Sequence, residues 1–140
     1  MDNGPKLIRD AYTGVTVSEA LIGCVVYERA QGQVDVATSS SVEPLGVVVN
    51  IQPDNKLVIA GAGSYASVLL SEDFEYSDSK VFTATTGGKA AVFSASTGAV
   101  ASLGSAWIVG HVVLPYGTVG ASGSMQECFI CPMPVSTVAA

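Results

Sequence analysis

Apolar residues along the chain occur in short runs separated by turn-forming residues. Most runs are rich in Val and Ile, whose β-branched side chains suit a pleated, half-buried surface. The runs are Leu21–Tyr27, Val34–Val36, Leu45–Ile51, Lys56–Ala60, Tyr65–Leu70, Val81–Ala84, Ala90–Phe93, Trp107–Leu114 and Glu127–Ile130. Many short strands with turn-rich links predict an all-β fold, either a small β-barrel or a sandwich.

Turn and helix signals complete the predicted pattern. Pro53–Asn55 lies between two runs and predicts a hairpin turn, and Thr86–Lys89 predicts another turn. Single helical turns are expected at Ser18–Ile22 and at Glu72–Tyr76, the latter after Ser71 as a cap. We therefore expect little helix.

The 140-residue length is typical of one domain. We expect an N-terminal arm over residues 1–10, a single β domain over residues 11–131 and a C-terminal tail over residues 132–140. Asn3-Gly4-Pro5 interrupts regular structure at the start, and the tail contains two prolines.

The four-residue pattern Gly-Xaa-Val-Val recurs at Gly23–Val26, Gly46–Val49 and Gly110–Val113. A glycine opening each run is compatible with a bulge or a tight barrel corner. Because the spacings are unequal, we favour chance within a Val-rich composition over a structural pseudo-symmetry.

Charge narrows the range of partners. Charged residues make up 13% of the chain and the formal net charge is -6, without a basic stripe. Such a chain is unsuited to nucleic acid or to an anionic membrane. We expect a protein partner and free thiols in a reducing compartment, because the start has no signal-peptide pattern and the cysteines number three.

No set of residues predicts catalysis or a cofactor. His111 is the single histidine, and no nucleophile or orienting carboxylate stands at a recognisable spacing from it. A zinc site would need Cys24, Cys128, Cys131 and His111 together, yet in a strand the last two cysteines point to opposite faces. We expect His111 to be structural or at an interface, and Trp107 to lie in the core or, as the alternative, to anchor an interface.

The order of the β segments resembles the capsid decoration ("cement") family of tailed phages, long described only as a domain of unknown function. The segments that carry the resemblance are Gly23–Val26, Glu43–Val49, Leu57–Gly61, Gly87–Ala90 and Ile108–Val113. The resemblance covers roughly residues 11–114, and residues 117–140 depart from it.

The resemblance implies a structural role on the virion, after synthesis in the host cytoplasm. Such proteins bind the outer capsid surface, usually as homotrimers, and bridge subunits of the major capsid protein. Weak affinity at each contact with the capsid is sufficient, because a trimer binds several subunits at once. We predict that Lys6, Leu7, Ile8 and Arg9 bind the capsid by strand addition, so that deleting residues 1–10 weakens binding and leaves the fold intact.

Two other functions remain open at this point. The first is a β-barrel module of a phage tail or fibre that recognises a host-surface glycan, for which Tyr65, Tyr76, Tyr116 and Trp107 would have to cluster. The second is an enzyme whose site forms only on trimerisation, with Asp and Arg near Gly-rich loops. Its arginines would be Arg9 and Arg29, and neither lies in such a loop.

Overall fold

A computed structural model of the chain describes residues 6–75, 80–94, 106–113 and 119–135. The strands are β1 (Lys6–Ala11), β2 (Val25–Ala30), β3 (Gln33–Val36), β4 (Gly46–Gln52), β5 (Lys56–Ala60), β6 (Tyr65–Leu69), β7 (Phe74–Glu75), β8 (Lys80–Ala84), β9 (Ala90–Ser94), β10 (Trp107–Val112), β11 (Val119–Gly120) and β12 (Met125–Pro134). Short 3-10 turns span Glu19–Leu21 and Thr86–Gly88. The predicted all-β architecture with little helix is confirmed. None of the helices within the described ranges is long and apolar enough to cross a membrane.

Two local predictions are confirmed and a third is wrong. Ser18 caps the first 3-10 turn, since its Oγ accepts a hydrogen bond from the Ala20 N–H at 3.3 Å. Pro53–Asn55 lies in the β4–β5 hairpin turn, where Asp54 and Asn55 have φ of 66° and 59°. The predicted helical turn at Glu72–Tyr76 is instead strand at Phe74–Glu75, because β7 finds a partner in β11.

The predicted arm is corrected for residues 6–10. These residues form most of β1, which pairs with β5 from Lys6 to Asp10 and closes a barrel. The physical reason is the alternation of the strand, which places Leu7 in the barrel core while Ile8 stays exposed. Residues 1–5 of the predicted arm lie outside the described residues.

The predicted tail begins too early in the chain. β12 continues to Pro134, which pairs with Trp107 of β10, and Val135 is buried. Residues 132–134 therefore belong to the sheet, Val135 packs directly after it, and the rest of the predicted tail lies outside the described residues.

The first five strands form a closed barrel in the order β1-β3-β2-β4-β5. The β1–β3 pair is parallel, and the pairs β3–β2, β2–β4, β4–β5 and β5–β1 are antiparallel. We call β1–β5 the N-terminal half. Its interior contains a cluster of buried aliphatic side chains: Val26, Val34, Val48, Leu57 and Ile59.

The second five-stranded sheet has the same topology. Its order is β6-β12-β10-β8-β9, all pairs are antiparallel, and a parallel bridge between Leu70 and Ala90 links the two ends. In chain order, β6, β8, β9, β10 and β12 correspond to β1, β2, β3, β4 and β5. With this correspondence, each strand has the same neighbours in both sheets, and each pair is parallel or antiparallel in the same way. We call this set of strands the C-terminal half.

The registers of the two halves also agree, which defines a counterpart for each strand residue. The matching pairs are Val26–Gly46 with Phe82–Gly110, Val47–Ala60 with His111–Phe129, and Ala11–Val34 with Leu70–Ala90. Two of the three Gly-Xaa-Val-Val segments thus start at counterpart glycines, Gly46 and Gly110. The structure supports pseudo-symmetry for these two copies, in place of the chance that the unequal spacings favoured.

The two halves share a hydrophobic cluster that is distinct from the interior of the first barrel. Val25, Val47 and Ala60 point out of the first barrel, because Val26, Val48 and Ile59 beside them point into it. They are fully buried in a cluster that also contains the interior of the C-terminal half, including Val68, Phe82 and Cys128. The outer face of the N-terminal half is thus an internal interface of the chain.

Two points of the N-terminal half, Gly23 before β2 and Ala37 after β3, lie in the seam between β6 and β9. We call these two points the wedge. The Gly23 carbonyl accepts a hydrogen bond from the Leu69 N–H at 2.9 Å, and the Ala37 carbonyl accepts one from the Gly88 N–H at 2.9 Å. This wedge explains why the second sheet is joined at its ends by a single described bridge, whereas the first sheet closes directly.

Candidate interaction surfaces

The predicted site residues lie in two separate parts of the fold. Lys6 to Arg9 lie on β1 in the N-terminal half, and Trp107 and His111 lie on β10 in the C-terminal half. The structure therefore does not bring the two predicted groups into one site, and each is described separately.

One edge of β1 is open at Ile8. The Ala11 N–H donates to Asn55 beside β5, and the Tyr12 N–H donates to Val34 of β3, so successive residues use opposite edges. Ile8, which has the same parity as Tyr12, directs its N–H and carbonyl toward the β3 side. β3 begins at Gln33, opposite Asp10, and within the described residues no strand pairs with Ile8 on that side.

The side chains around this edge mix apolar and cationic groups. Ile8 is 51% exposed, and the Arg9 Nη1 donates to the Ile8 carbonyl at 3.1 Å. An exposed apolar side chain on a strand edge that no described strand covers is a surface to which an extended segment can add. The deletion of residues 1–10 is no longer a clean test of binding, since it removes a barrel strand.

A second surface is the outer face of the C-terminal half. Val112 and Cys128 point into the shared core, so His111 and Phe129 beside them point outward. Tyr65, which follows the same rule on β6, packs its ring against Phe129 with centroids 5.1 Å apart and planes at 51°. Tyr65 is 43% exposed, and His111 and Phe129 are half-buried. We call Tyr65, His111 and Phe129 the aromatic face.

Sequence reasoning named His111 and, for a glycan-binding module, Tyr65, but it did not place them together and did not name Phe129. The pairings His111–Phe129 and Phe129–Tyr65 join strands that are far apart in the chain. Trp107 is half-buried at the start of β10, and its backbone N–H donates to the Ser40 carbonyl at 2.7 Å. Among the described residues, the ring of Tyr65 contacts Phe129 and not Trp107. The other two members of the predicted aromatic cluster, Tyr76 and Tyr116, lie outside the described residues.

The cysteines are arranged as core residues. Cys24 and Cys128 are buried, and Cys131 is half-buried on the same strand as Cys128. Burial raises the pKa of the Cys128 thiol, with a smaller contribution from Cys131. Burial also raises the pKa of Cys24, and Lys89 partly offsets this. Reactive or metal-binding thiols need the opposite shift, toward the thiolate.

Within the described ranges, no three His, Cys, Asp or Glu side chains lie close enough to hold a metal ion. A cleft of about 440 Å³ lies between the first 3-10 turn and the β4–β5 hairpin. Its lining residues are Val17, Glu19, Ile22, Asn50, Ile51, Gln52, Pro53, Asp54 and Asn55. The lining contains no nucleophile paired with a base, so the cleft does not suggest a reaction.

The interaction surfaces are thus the open edge at Ile8 and the aromatic face, on opposite halves of a duplicated β fold. In comparisons with known proteins, no family model matches this chain and no curated protein matches it significantly.

Proposed function

We propose that this chain is a structural protein of a tailed-phage virion that binds the outer capsid surface and bridges subunits of the major capsid protein. The observation that carries the proposal is the place of the resembling segments in the fold. Glu43–Val49, Leu57–Gly61 and Ile108–Val113 cover most of β4, β5 and β10, and their residues Val47, Ala60 and Val109 lie in the cluster that the two halves share. The segments on which the resemblance to decoration proteins rests therefore contribute to this cluster.

The physical character of the molecule suits such a role. Decoration requires a compact unit that resists outward pressure and offers several contact surfaces, not a reaction centre. A buried cluster that joins two like halves gives a stiff body, since close-packed interiors transmit strain with little compression. The protein acts in this proposal as a homotrimer, which multiplies weak single contacts into stable attachment.

The open edge at Ile8 is the surface that we assign to the capsid. An extended capsid segment would bond to the Ile8 N–H and carbonyl, and Arg9 would release that carbonyl to the incoming backbone. Ile8 would supply apolar contact. The prediction for Lys6 to Arg9 is kept, with the change that these residues act as a barrel strand and not as an arm.

Co-sedimentation with expanded, undecorated capsids of its own virus tests the proposal. We expect saturable binding at a few copies per capsomer. Ile8→Pro removes the N–H on the open edge without touching a bond to β5, so it should weaken binding at least tenfold. Ile8→Val keeps both that N–H and an apolar side chain, so it is the matched control. A folded protein that never sediments with capsids would contradict the proposal.

A second candidate is a glycan-binding module of a tail or fibre. The observation that favours it is the exposure of Tyr65 beside Phe129, since exposed aromatic rings commonly stack on sugars. A glycan array probed with the wild-type protein and with Tyr65→Ala separates the candidates. Hits that disappear in the variant, together with no capsid binding, would replace the capsid proposal.

A further inference from the structure

The internal duplication allows the same face to be compared in the two halves. This face is covered in the N-terminal half and partly accessible in the C-terminal half. The counterparts of His111 and Phe129 are Val47 and Ala60, which are fully buried because the C-terminal half packs on them. The same strand positions in the C-terminal half hold larger side chains that are only half-buried. In the N-terminal half, this outer face thus serves as the contact with a second unit of the same fold, the C-terminal half.

The accessible part of the face is its Tyr65 end. Val81 lies on the same side of the sheet as His111 but is fully buried within the chain. Tyr65 is 43% exposed, whereas its counterpart in the N-terminal half is Lys6, a charged residue. Replacement of a cation by an aromatic ring is the change expected where a solvated position becomes a contact.

The surroundings of the aromatic face have the composition of an interface. Ser67 and Glu127 flank it on β6 and β12, and both are exposed. An apolar, aromatic centre with a polar rim is the usual arrangement at protein contacts. Tyr65 and Phe129 already touch, so little side-chain freedom is lost when a partner arrives.

A contact between two copies would differ in one respect from the contact between the two halves of one chain. Within the chain, the N-terminal half meets the seam of the C-terminal half at Gly23, which lies next to Leu69 and Met125. The counterparts of these two residues are Asp10 and Lys56, which form an exposed ion pair at 2.8 Å. At these described positions the N-terminal half therefore has an ion pair in place of apolar side chains, so a second copy would not repeat the internal contact there.

We propose that the aromatic face lies next to the symmetry axis of a homo-oligomer, where Tyr65 and Phe129 of one copy pack against the same residues of a second copy. In a closed cyclic assembly such as the proposed trimer, residues beside the axis lie next to their own equivalents from the other copies. The inference rests on the self-association included in the proposed function and assigns the surface responsible for it. Capsid attachment at Ile8 is a separate surface on the other half.

The mass of the purified protein in solution tests this assignment without capsids. We expect the wild-type protein to have a multiple of the 14.2 kDa chain mass. Tyr65→Lys, which installs the residue type of its counterpart, should yield the 14.2 kDa monomer with an unchanged circular dichroism spectrum. Ile8→Lys, at an exposed apolar residue of the other half, is the matched control and should keep the wild-type mass.

Self-crosslinking tests the position of the axis and does not depend on dissociation. In a Cys131→Ser background, Tyr65→Cys should form a disulfide between copies on mild oxidation, while Ser67→Cys on the rim should form much less. A monomeric wild-type protein, an oligomer that survives Tyr65→Lys, or no crosslink at residue 65 would each overturn the assignment. Loss of capsid binding with the oligomer intact would instead count against the proposed function alone.

Discussion

Gly46 and Gly110 occupy the same position in the two halves, and each allows the neighbouring strand to approach its backbone. A Cβ on Gly46 would lie 2.1 Å from the Ala60 carbonyl oxygen, and one on Gly110 would lie 2.0 Å from the Phe129 carbonyl oxygen. Ala60 and Phe129 are themselves counterparts. The same steric requirement therefore acts twice in one chain, and a glycine meets it each time.

Replacing either glycine by alanine should destabilise the protein. The clash is with backbone, so relief requires a shift of the strands, and we expect a loss of about 1–3 kcal/mol for Gly46→Ala and for Gly110→Ala. Urea unfolding of each variant measures this loss. Gly61→Ala is the control, because its Cβ would meet only the Leu7 side chain at 3.5 Å, an ordinary contact. Equal stabilities of all three variants would contradict the close approach.

The wedge in the seam predicts different costs at another pair of counterpart glycines. Gly32 and Gly88 have φ of 74° and 75°, so alanine is strained by a similar amount at both. A Cβ at Gly88 would lie 2.9 Å from the Val25 carbonyl oxygen, whereas one at Gly32 would meet nothing within 4 Å. Gly88→Ala should therefore lose about 1 kcal/mol or more beyond the loss in Gly32→Ala. Thermal unfolding of the two variants, compared directly, isolates the contact with Val25.

The β4–β5 turn predicts one neutral or stabilising change. Asn55 has φ of 59°, a conformation that glycine and asparagine tolerate and β-branched residues do not. Asn55→Gly should leave the free energy of unfolding within about 0.5 kcal/mol of wild type or raise it, and Asn55→Val should lower it by about 1–2 kcal/mol. Chemical denaturation of both variants checks the order. A variant with valine as stable as the one with glycine would rule out this turn geometry.

The buried thiols predict a loss of stability in alkali. Burial raises the pKa of Cys128 in the native state, so the native state keeps a proton that the unfolded chain releases above about pH 8.5. The stabilising contribution is complete below that pH and is lost as pH rises, by up to about 1.4 kcal/mol per pH unit for each such thiol. The free energy of unfolding of Cys128→Ala should fall less steeply between pH 8.5 and pH 10 than that of the wild type.

A matched control separates ionisation from packing in that experiment. Ile130→Val removes buried apolar volume from the same cluster and keeps the thiol. Its free energy of unfolding should be lower than that of the wild type at every pH and should run parallel to it. If the curve for Cys128→Ala also runs parallel to the wild type, the Cys128 thiol does not contribute to the alkaline loss.

Sequence patterns located most of the strands because local side-chain alternation reports burial directly. Lys56–Ala60 is a strand with the predicted bounds, and the turn before it is where Pro53–Asn55 predicted one. Residues 6–10 show the limit of such reasoning. A terminal segment with two apolar and two cationic side chains looks the same whether it is an arm or a barrel strand, and only its pairing with β5 decides between them.

The chain by itself determined an all-β fold and the position of the β4–β5 turn. Short Val-rich runs and turn residues are sufficient for this, because strand and turn preferences are local. Tertiary structure alone decided the duplication, the shared core and the aromatic face. Strand order and register join residues distant in sequence, so Tyr65, His111 and Phe129 became neighbours only when β6, β12 and β10 paired.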